Sequence, residues 1–183
     1  MNVIIILVGL LIVLAGYVIS VYNKLVNARN KVENQFSQID IQLKRRADLI
    51  PNLVETVKGY AKHEEETFTS VIEARNKAVN AGSVNEKIDA NNELSGALNR
   101  LFALAESYPE LKANENFLSL QNDLKDTEDK ITYARQFYND SAMSFNNLVQ
   151  MFPSNIVAGM FGFKKFEYFK AEEKEKEVPK VEF

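Results

Sequence analysis

The chain of 183 residues contains no cysteine and no tryptophan, and it has a single histidine. Without cysteine it can form neither disulfides nor thiolate metal sites, and it cannot carry a lipoprotein anchor. One histidine supplies too few nitrogen ligands for an ordinary zinc site. Gly-rich phosphate loops, nucleophile elbows and paired catalytic carboxylates at a recognisable spacing are also missing. We therefore expect no cofactor, no metal ion and no enzymatic activity.

Charged residues are missing from the first 23 positions, and residues 3–21 read VIIILVGLLIVLAGYVISV. About 20 apolar residues in a helix cover the ~30 Å hydrocarbon layer of a bilayer. A cleaved signal peptide would instead have a basic start, a shorter apolar core and a small-residue cleavage site. We therefore predict that residues 1–23 form a retained transmembrane anchor in contact with the lipid bilayer.

Basic residues near this apolar run indicate its orientation. Lys24, Arg29 and Lys31 follow the run, whereas only the amino end of the chain precedes it. Lysine and arginine next to a span favour the cytoplasmic side. We therefore predict a single-pass protein with its N-terminus outside and its helical body in the cytoplasm.

Proline and glycine are scarce between residues 24 and 151, and apolar residues there recur at three-and-four spacing. Such spacing predicts amphipathic helices that bury one face. Three stripes stand out: Leu43, Ile50, Leu53, Val54, Val57 and Tyr60; Leu94, Leu98, Leu101 and Ala105; and Phe117, Leu120, Leu124, Ile131, Ala134, Tyr138, Phe145 and Leu148. The sequence predicts an all-α fold, in which the anchor continues into an elongated antiparallel bundle of about four long helices.

Helix-breaking residues divide this bundle. Pro51 is expected to kink or restart the first helix, with Asp48 available to cap a restarted one. The next helix then runs to residue 81, where Gly82 follows. Two further helices are predicted, over residues 85–107 and 113–151.

Residues 151–169 are the most aromatic part of the chain. We expect an aromatic C-terminal segment outside a helix that docks on the bundle, because aromatic side chains contribute much buried area. Contact with the membrane interface or with a partner is the alternative. The predicted domains are the anchor at residues 1–23, the bundle at 24–163 and a charged, solvated tail at 164–183.

Charge is unevenly distributed along the chain. Residues 24–60 are net basic and residues 61–163 are net acidic, which argues against nucleic acid as a partner. The densest basic cluster is Lys44-Arg45-Arg46, which we call the KRR block. It is interpreted either as a contact for an acidic patch on a partner or as a solvated face with local pairs to Asp40 and Asp48.

The single histidine, His63, precedes three glutamates. On one helix, His63 and Glu66 would supply half of a carboxylate-bridged metal arrangement, but a second Glu-x-x-His pair is missing. A solvent-facing acidic turn is the favoured interpretation, and a metal protein is kept only as a third hypothesis.

Several blocks resemble a known family. Residues 22–64 read YNKLVNARNKVENQFSQIDIQLKRRADLIPNLVETVKGYAKHE, residues 134–140 read ARQFYND, and residues 152–169 read FPSNIVAGMFGFKKFEYF. In this order, behind an N-terminal anchor, they are similar to the signature blocks of LemA proteins. The resemblance implies a bacterial, single-pass membrane protein with an elongated helical bundle and its N-terminus outside.

The resemblance settles architecture better than activity, and it implies no catalytic role. The positions most characteristic of it, which we take as candidate interaction residues, are Arg29, Asn30, Gln38, Asp40, Gln42, Lys44, Arg45, Arg46, Asp48, Pro51 and Asn52. The leading hypothesis is a scaffold or assembly protein that forms homo-oligomers or organises membrane-protein partners at the bacterial cell membrane. The alternative is an adaptor or accessory subunit for a membrane protease or signalling system.

Overall fold

The computed structural model describes residues 2–169, and all regular secondary structure in this part of the chain is helical. The helices are α1 (Asn2–Lys58), α2 (Glu65–Asn80), α3 (Val84–Ala105), α4 (Pro109–Lys112), α5 (Glu115–Gln150) and α6 (Ser154–Met160). The four long ones are α1, α2, α3 and α5. The all-α prediction is confirmed.

The chain divides into two compact units, which we name by sequence position. The central unit is Ser37–Arg135. The terminal unit comprises, among the described residues, 2–36 and 136–169. Helices α1 and α5 contribute residues to both units. The boundaries expected at residues 23 and 163 separate an anchor and a charged tail from the bundle, and they stay predictions.

The central unit has an apolar core built from all four long helices. The α1, α3 and α5 stripes predicted from spacing supply most of it, because residues three and four apart lie on one helix face. Its buried residues include Ile50, Leu53, Val54 and Val57 of α1, Phe68, Val71 and Ala74 of α2, Leu94, Leu98 and Leu101 of α3, and Phe117 and Leu124 of α5. Tyr60 differs from the prediction. It is exposed, and its hydroxyl accepts a hydrogen bond from Asn114 Nδ2 at 2.9 Å.

Pro51 does not restart the first helix, so that part of the prediction is wrong. Helix α1 runs without a break from Asn2 to Lys58, with Pro51 inside it. Asp48 therefore lies in the helix interior and caps nothing. The actual break comes later, between Lys58 and Glu65, where the sequence argument placed continuous helix.

Helix α3 begins with a capping box that the sequence contains. Ser83 Oγ accepts a hydrogen bond from the backbone N–H of Glu86 at 3.2 Å, and Glu86 Oε2 accepts from the Ser83 N–H at 3.0 Å. Two amide groups that the helix leaves unpaired are thereby satisfied. The turn at Gly82 and Ser83 was expected, and the predicted start at about Asn85 agrees with the observed start at Val84 to within one residue, whereas the capping box was not predicted.

The terminal unit begins with the apolar part of α1. Its large side chains from Val3 to Leu14 are exposed, at half to two thirds of their full area. The helix is long and apolar enough to cross a membrane by length and composition. From Val21 onwards a buried face appears at Leu25 and Val32. Burial against the rest of the terminal unit therefore starts where the apolar run ends.

The aromatic segment contains one short helix, α6, and then an extended stretch. The helix was not predicted. It ends in a Schellman motif, in which the Phe163 N–H donates to Ala158 O at 3.0 Å, and Gly162 takes the left-handed φ of 69° that this motif needs. The chain then continues without regular structure to Phe169.

Two asparagines of α5 bind the backbone of the extended stretch. Asn146 donates to Phe166 O and accepts from the Phe166 N–H, both at 2.9 Å. Asn139 makes the same pair of bonds with Phe169, also at 2.9 Å. The Phe166 ring packs 5.2 Å from Phe145, centroid to centroid. Docking of the aromatic segment is thus confirmed for residues 163–169, where the Phe163 ring also lies 6.2 Å from that of Phe145. The Lys/Glu run from residue 170 lies outside the described residues.

Candidate functional site

The three residues of the KRR block have different surroundings, because successive residues on a helix point about 100° apart. The Lys44 side chain is 76% exposed, that of Arg45 is 46% exposed, and that of Arg46 is 5% exposed. The expectation of one solvated basic face is therefore wrong for Arg46. The block divides between the interior and the surface of the central unit.

Arg46 links three helices. Its Nη1 donates to Asn91 Oδ1 at 2.8 Å, and its Nη2 donates to Ser95 Oγ at 3.0 Å, both on α3. Nη1 also lies 2.6 Å from Glu128 Oε2 of α5, as an ion pair whose angles fall outside hydrogen-bond geometry. We call these four residues the Arg46 network. A buried guanidinium needs such partners, since an unpaired buried charge is very costly.

Burial lowers the pKa of the Arg46 guanidinium below its ordinary value. Loss of hydration lowers the pKa of Arg46, Glu128 raises it again, and the nearby Arg135 lowers it. Arginine still keeps its proton at neutral pH, because its ordinary pKa is so high. Arg46 therefore acts as a permanent charged tie inside the central unit, and it is not available to an external partner.

Arg45 and Lys44 are held more loosely. Arg45 lies 3.8 Å from Asp123 and 3.9 Å from Asp126, both on α5. Lys44 forms an ion pair with Asp48 on its own helix at 2.9 Å, as expected for residues four apart. Exposed pairs of this kind stabilise by less than about 1 kcal/mol. They can exchange partners at low cost.

A cleft of about 340 Å³ lies beside these residues in the central unit. Three of the predicted site residues, Asp40, Lys44 and Asp48, line it together with Arg75 and Lys87. Its other lining residues are Leu43, Ala47, Ala78, Val79 and Ala81. Asp40 is paired with Lys87 at 2.6 Å rather than with the KRR block. The cleft therefore has an apolar floor with charges of both signs at its edge.

Pro51 and Arg75 complement each other at this cleft. Proline has no N–H, so the carbonyl of Ala47, four residues earlier, lacks its normal helical donor. Arg75 Nε of α2 donates to that carbonyl at 3.2 Å. Ala47 is buried, and a buried carbonyl without a donor is destabilising. Arg75 thus allows a proline inside α1.

The other predicted site residues are dispersed. In the central unit, Gln38 and Asn52 are exposed, while Gln42 Oε1 is buried without a hydrogen-bond partner among the described residues. In the terminal unit, Asn30 is exposed, and Arg29 lies 3.7 Å from Glu33 with its guanidinium 5.7 Å from the Phe163 ring centroid. Within the central unit, Asp40, Lys44 and Asp48 are the predicted residues that line the cleft together.

The polar partners of Arg46 were not found by sequence reasoning. Asn91 is 1% exposed and lies one turn before Ser95, on the same side of α3 as the buried Leu94 and Leu98. A polar residue within an apolar helical stripe is the available signal, because burial then demands a partner. Glu128 carries no comparable signal in the sequence.

In the central unit the candidate residues form polar contacts between helices and line part of one cleft. Across residues 2–169 there is no group of three or more histidine and acidic side chains that could hold a metal ion. His63 is exposed in the turn before α2, so it does not share a helix with Glu66 as the metal hypothesis required.

Together these features define an all-helical protein whose first helix can cross a membrane and whose polar residues tie helices together. The chain belongs to the LemA family, whose family model matches residues 35–183. The family match and the exposed apolar helix support a membrane-associated protein.

Individual relatives share between 26% and 30% of their residues with this chain over the aligned regions. The chain is 30% identical over 147 residues to Protein LemA of Metamycoplasma hominis, covering 76% of this chain and 64% of that protein. It is 26% identical over 159 residues to Magnetosome protein MamQ of Magnetospirillum gryphiswaldense, covering 73% of this chain and 58% of the relative. Magnetosome protein MamQ 2 of Paramagnetospirillum magneticum is 27% identical over the same shares. The chain thus spans less than two thirds of the length of these curated relatives.

Proposed function

We propose that the protein is a single-pass, membrane-anchored helical scaffold of the bacterial cell membrane that self-associates and has no enzymatic activity. The observation that carries this proposal is the continuity of α1. One helix contains the exposed apolar residues from Val3 to Leu14 and, without a break, the core residues from Ile50 to Val57. A helix that carries both an exposed apolar run and core residues of a folded unit is suited to anchoring that unit at a membrane.

The proposed orientation has the N-terminus outside and the central unit in the cytoplasm, supported by Lys24, Arg29 and Lys31 after the apolar run. The chain lacks cysteine, so single cysteines can report topology. An impermeant maleimide should label Asn2→Cys in intact cells and should label Lys44→Cys only after permeabilisation. The reverse pattern would contradict this orientation.

The surface proposed for self-association is the exposed side of α1 in the central unit. Its residues Ile41, Lys44, Asp48 and Asn52 are spaced three or four apart and exposed, so they form one stripe, which we call the α1 stripe. Lys44 and Asp48 are of opposite charge. Two copies related by a two-fold axis could therefore exchange these pairs between chains. Anchoring confines the copies to a plane, which raises their effective concentration.

Cysteine crosslinking in native membranes tests this surface. Ile41→Cys lies on the α1 stripe and leaves the Lys44–Asp48 pair intact. Asn99→Cys, exposed on α3 in the same unit, is the matched control. A short bismaleimide should give a homodimer with Ile41→Cys and little with Asn99→Cys. Equal, weak crosslinking of both would contradict self-association through the α1 stripe.

The cleft beside Lys44 favours a second candidate, an adaptor for a membrane protease or signalling system. Its apolar floor and mixed charges suit a side chain or peptide of a partner. The test uses Lys44→Glu, because Arg46 is buried and its replacement would disturb folding. An adaptor predicts a heterologous crosslink from Ile41→Cys that Lys44→Glu removes and that the exposed-site control Lys62→Glu retains. A crosslink unaffected by Lys44→Glu would argue against it.

A further inference from the structure

Exposed apolar side chains concentrate around α6 in the terminal unit. Helix α6 buries Val157 and Ala158, while Ile156 and Met160 point outward. The exposed residues, which we call the α6 patch, are Met151, Phe152, Ile156, Met160 and Phe161. Phe152 is 79% exposed and Met160 is 69% exposed. Contiguous exposed apolar residues of this size usually mark an interaction surface.

The α6 patch is continuous with the end of the apolar run of α1. Tyr22 directly follows that run, and its ring centroid lies 4.7 Å from that of Phe161 and 5.9 Å from that of Phe163. Tyrosine at the end of a membrane span typically sits at the headgroup level. Phe161, which belongs to the patch, is therefore placed at the same level as the end of the anchor.

Basic residues accompany the patch. Lys164 and Lys165 follow Phe163 directly and are exposed, and the Arg29 guanidinium lies 5.7 Å from the Phe163 ring centroid. Lys24 is exposed two residues after Tyr22. Apolar side chains next to lysine and arginine match the boundary between acyl chains and anionic headgroups.

We infer that the α6 patch inserts into the interfacial layer of an anionic bilayer, beside the transmembrane part of α1. The inference rests on the proposed anchor, since Tyr22 marks the membrane level. With two contacts on the same bilayer face, the terminal unit is fixed in tilt and rotation rather than pivoting on one helix. The patch is thus a second, interfacial membrane contact of this chain.

Depth-dependent fluorescence quenching of the full chain tests this inference. Single cysteines at Phe152→Cys and Met160→Cys carry an environment-sensitive fluorophore, in vesicles of phosphatidylcholine and phosphatidylglycerol. Leu7→Cys reports the anchor. Asp140→Cys, an exposed polar position of α5 in the same unit, is the matched control. The quencher is a nitroxide attached to lipid, either near the headgroup or deep in the acyl chain.

The expected result is deep quenching at Leu7 and several-fold stronger shallow quenching at Phe152 and Met160 than at Asp140. If Leu7 is quenched while Phe152 and Met160 match Asp140, the α6 patch does not insert and the anchor stands. If the fluorophores at Phe152 and Met160 escape lipid quenching and are also shielded from aqueous iodide, a protein surface covers the patch. That result overturns the lipid inference. Failure of lipid quenching at Leu7 would overturn the anchor and the inference together.

Discussion

The central and terminal units pair their main buried polar side chains with different kinds of partner. In the central unit, the charged Arg46 donates hydrogen bonds to two side chains of α3 and forms an ion pair with Glu128 of α5. In the terminal unit, the neutral amides of Asn139 and Asn146 bond to the backbone of an extended segment. A guanidinium only donates, so each of its bonds needs an acceptor, and here Asn91 and Ser95 supply the acceptors. An amide donates and accepts, so it can pair with one residue's N–H and C=O.

Spacing explains how a helix can bind an extended segment in this way. Asn139 and Asn146 are seven residues apart, which is roughly 10.5 Å along a helix. Phe166 and Phe169 are three residues apart, which is about 10 Å along an extended chain. The two distances match, and the extended segment runs antiparallel to α5, because Asn146 pairs with Phe166 and Asn139 with Phe169. Binding through the backbone leaves the aromatic side chains free to pack.

The largest effect is expected from Arg46→Ala. It leaves Asn91, Ser95 and Glu128 without their common partner, and breaking such a buried tie costs about 3 kcal/mol of unfolding free energy. The matched variant is Arg45→Ala, whose partly exposed pairs at 3.8 and 3.9 Å contribute less than about 1 kcal/mol. Denaturant unfolding of the full chain in mild detergent measures both. Equal losses would show that burial of Arg46 is not what distinguishes the two arginines.

Asn146→Ala is expected to have the next largest effect. It removes both bonds to Phe166 and should lower the free energy of opening the segment by about 2 kcal/mol, which is roughly a thirty-fold faster exchange of the Phe166 amide. Hydrogen exchange measures this directly. Asn147→Ala, at an exposed neighbouring position, should leave that amide unchanged. Unchanged exchange in Asn146→Ala would contradict backbone pairing as the tie of the terminal unit.

Pro51 and Arg75 should be energetically coupled, with a smaller effect. Arg75→Ala removes the donor to Ala47 O and should lower the free energy of unfolding of the natural chain by about 1 kcal/mol. In a Pro51→Ala background the helix supplies its own N–H, so the same change should cost close to nothing. A double-mutant cycle measures the difference. Additive losses would show that Arg75 does not replace the donor missing at Pro51.

Lowering the pH should weaken amide protection at the capping box of α3 in the central unit and leave the Asn-bound segment of the terminal unit unaffected. Hydrogen bonds from the Ser83 and Gly82 backbone hold the pKa of Glu86 below its ordinary value. A lowered folded-state pKa means that this stabilisation is present above the unfolded-state pKa and is lost as pH falls through the folded value. Amide protection at Gly82 and Ser83 should therefore decrease in acid, while Phe166 and Phe169 keep theirs because asparagine does not titrate. Glu86→Gln should remove the pH dependence, and its persistence would implicate another group.

Periodicity and the long apolar run were sufficient to predict four long helices, most of the buried stripes and the candidate anchor. They failed at Pro51 because its compensation comes from Arg75, which is distant in sequence and has no local signal. Arg46 looked like part of a solvated cluster because its partners lie on α3 and α5. The capping box does have a local signal, because Ser83 is followed three residues later by Glu86. Helix α6 is short, and packing on Val157 and Ala158 stabilises it more than its own sequence does.

Self-association of an anchored chain is the central claim, and the mass of the full-length protein in mild detergent tests it most directly. Native mass spectrometry should show a defined species containing two or more chains, because the α1 stripe and the membrane anchor both favour lateral contact. A chain that remains a monomer at every protein concentration would contradict the scaffold proposal.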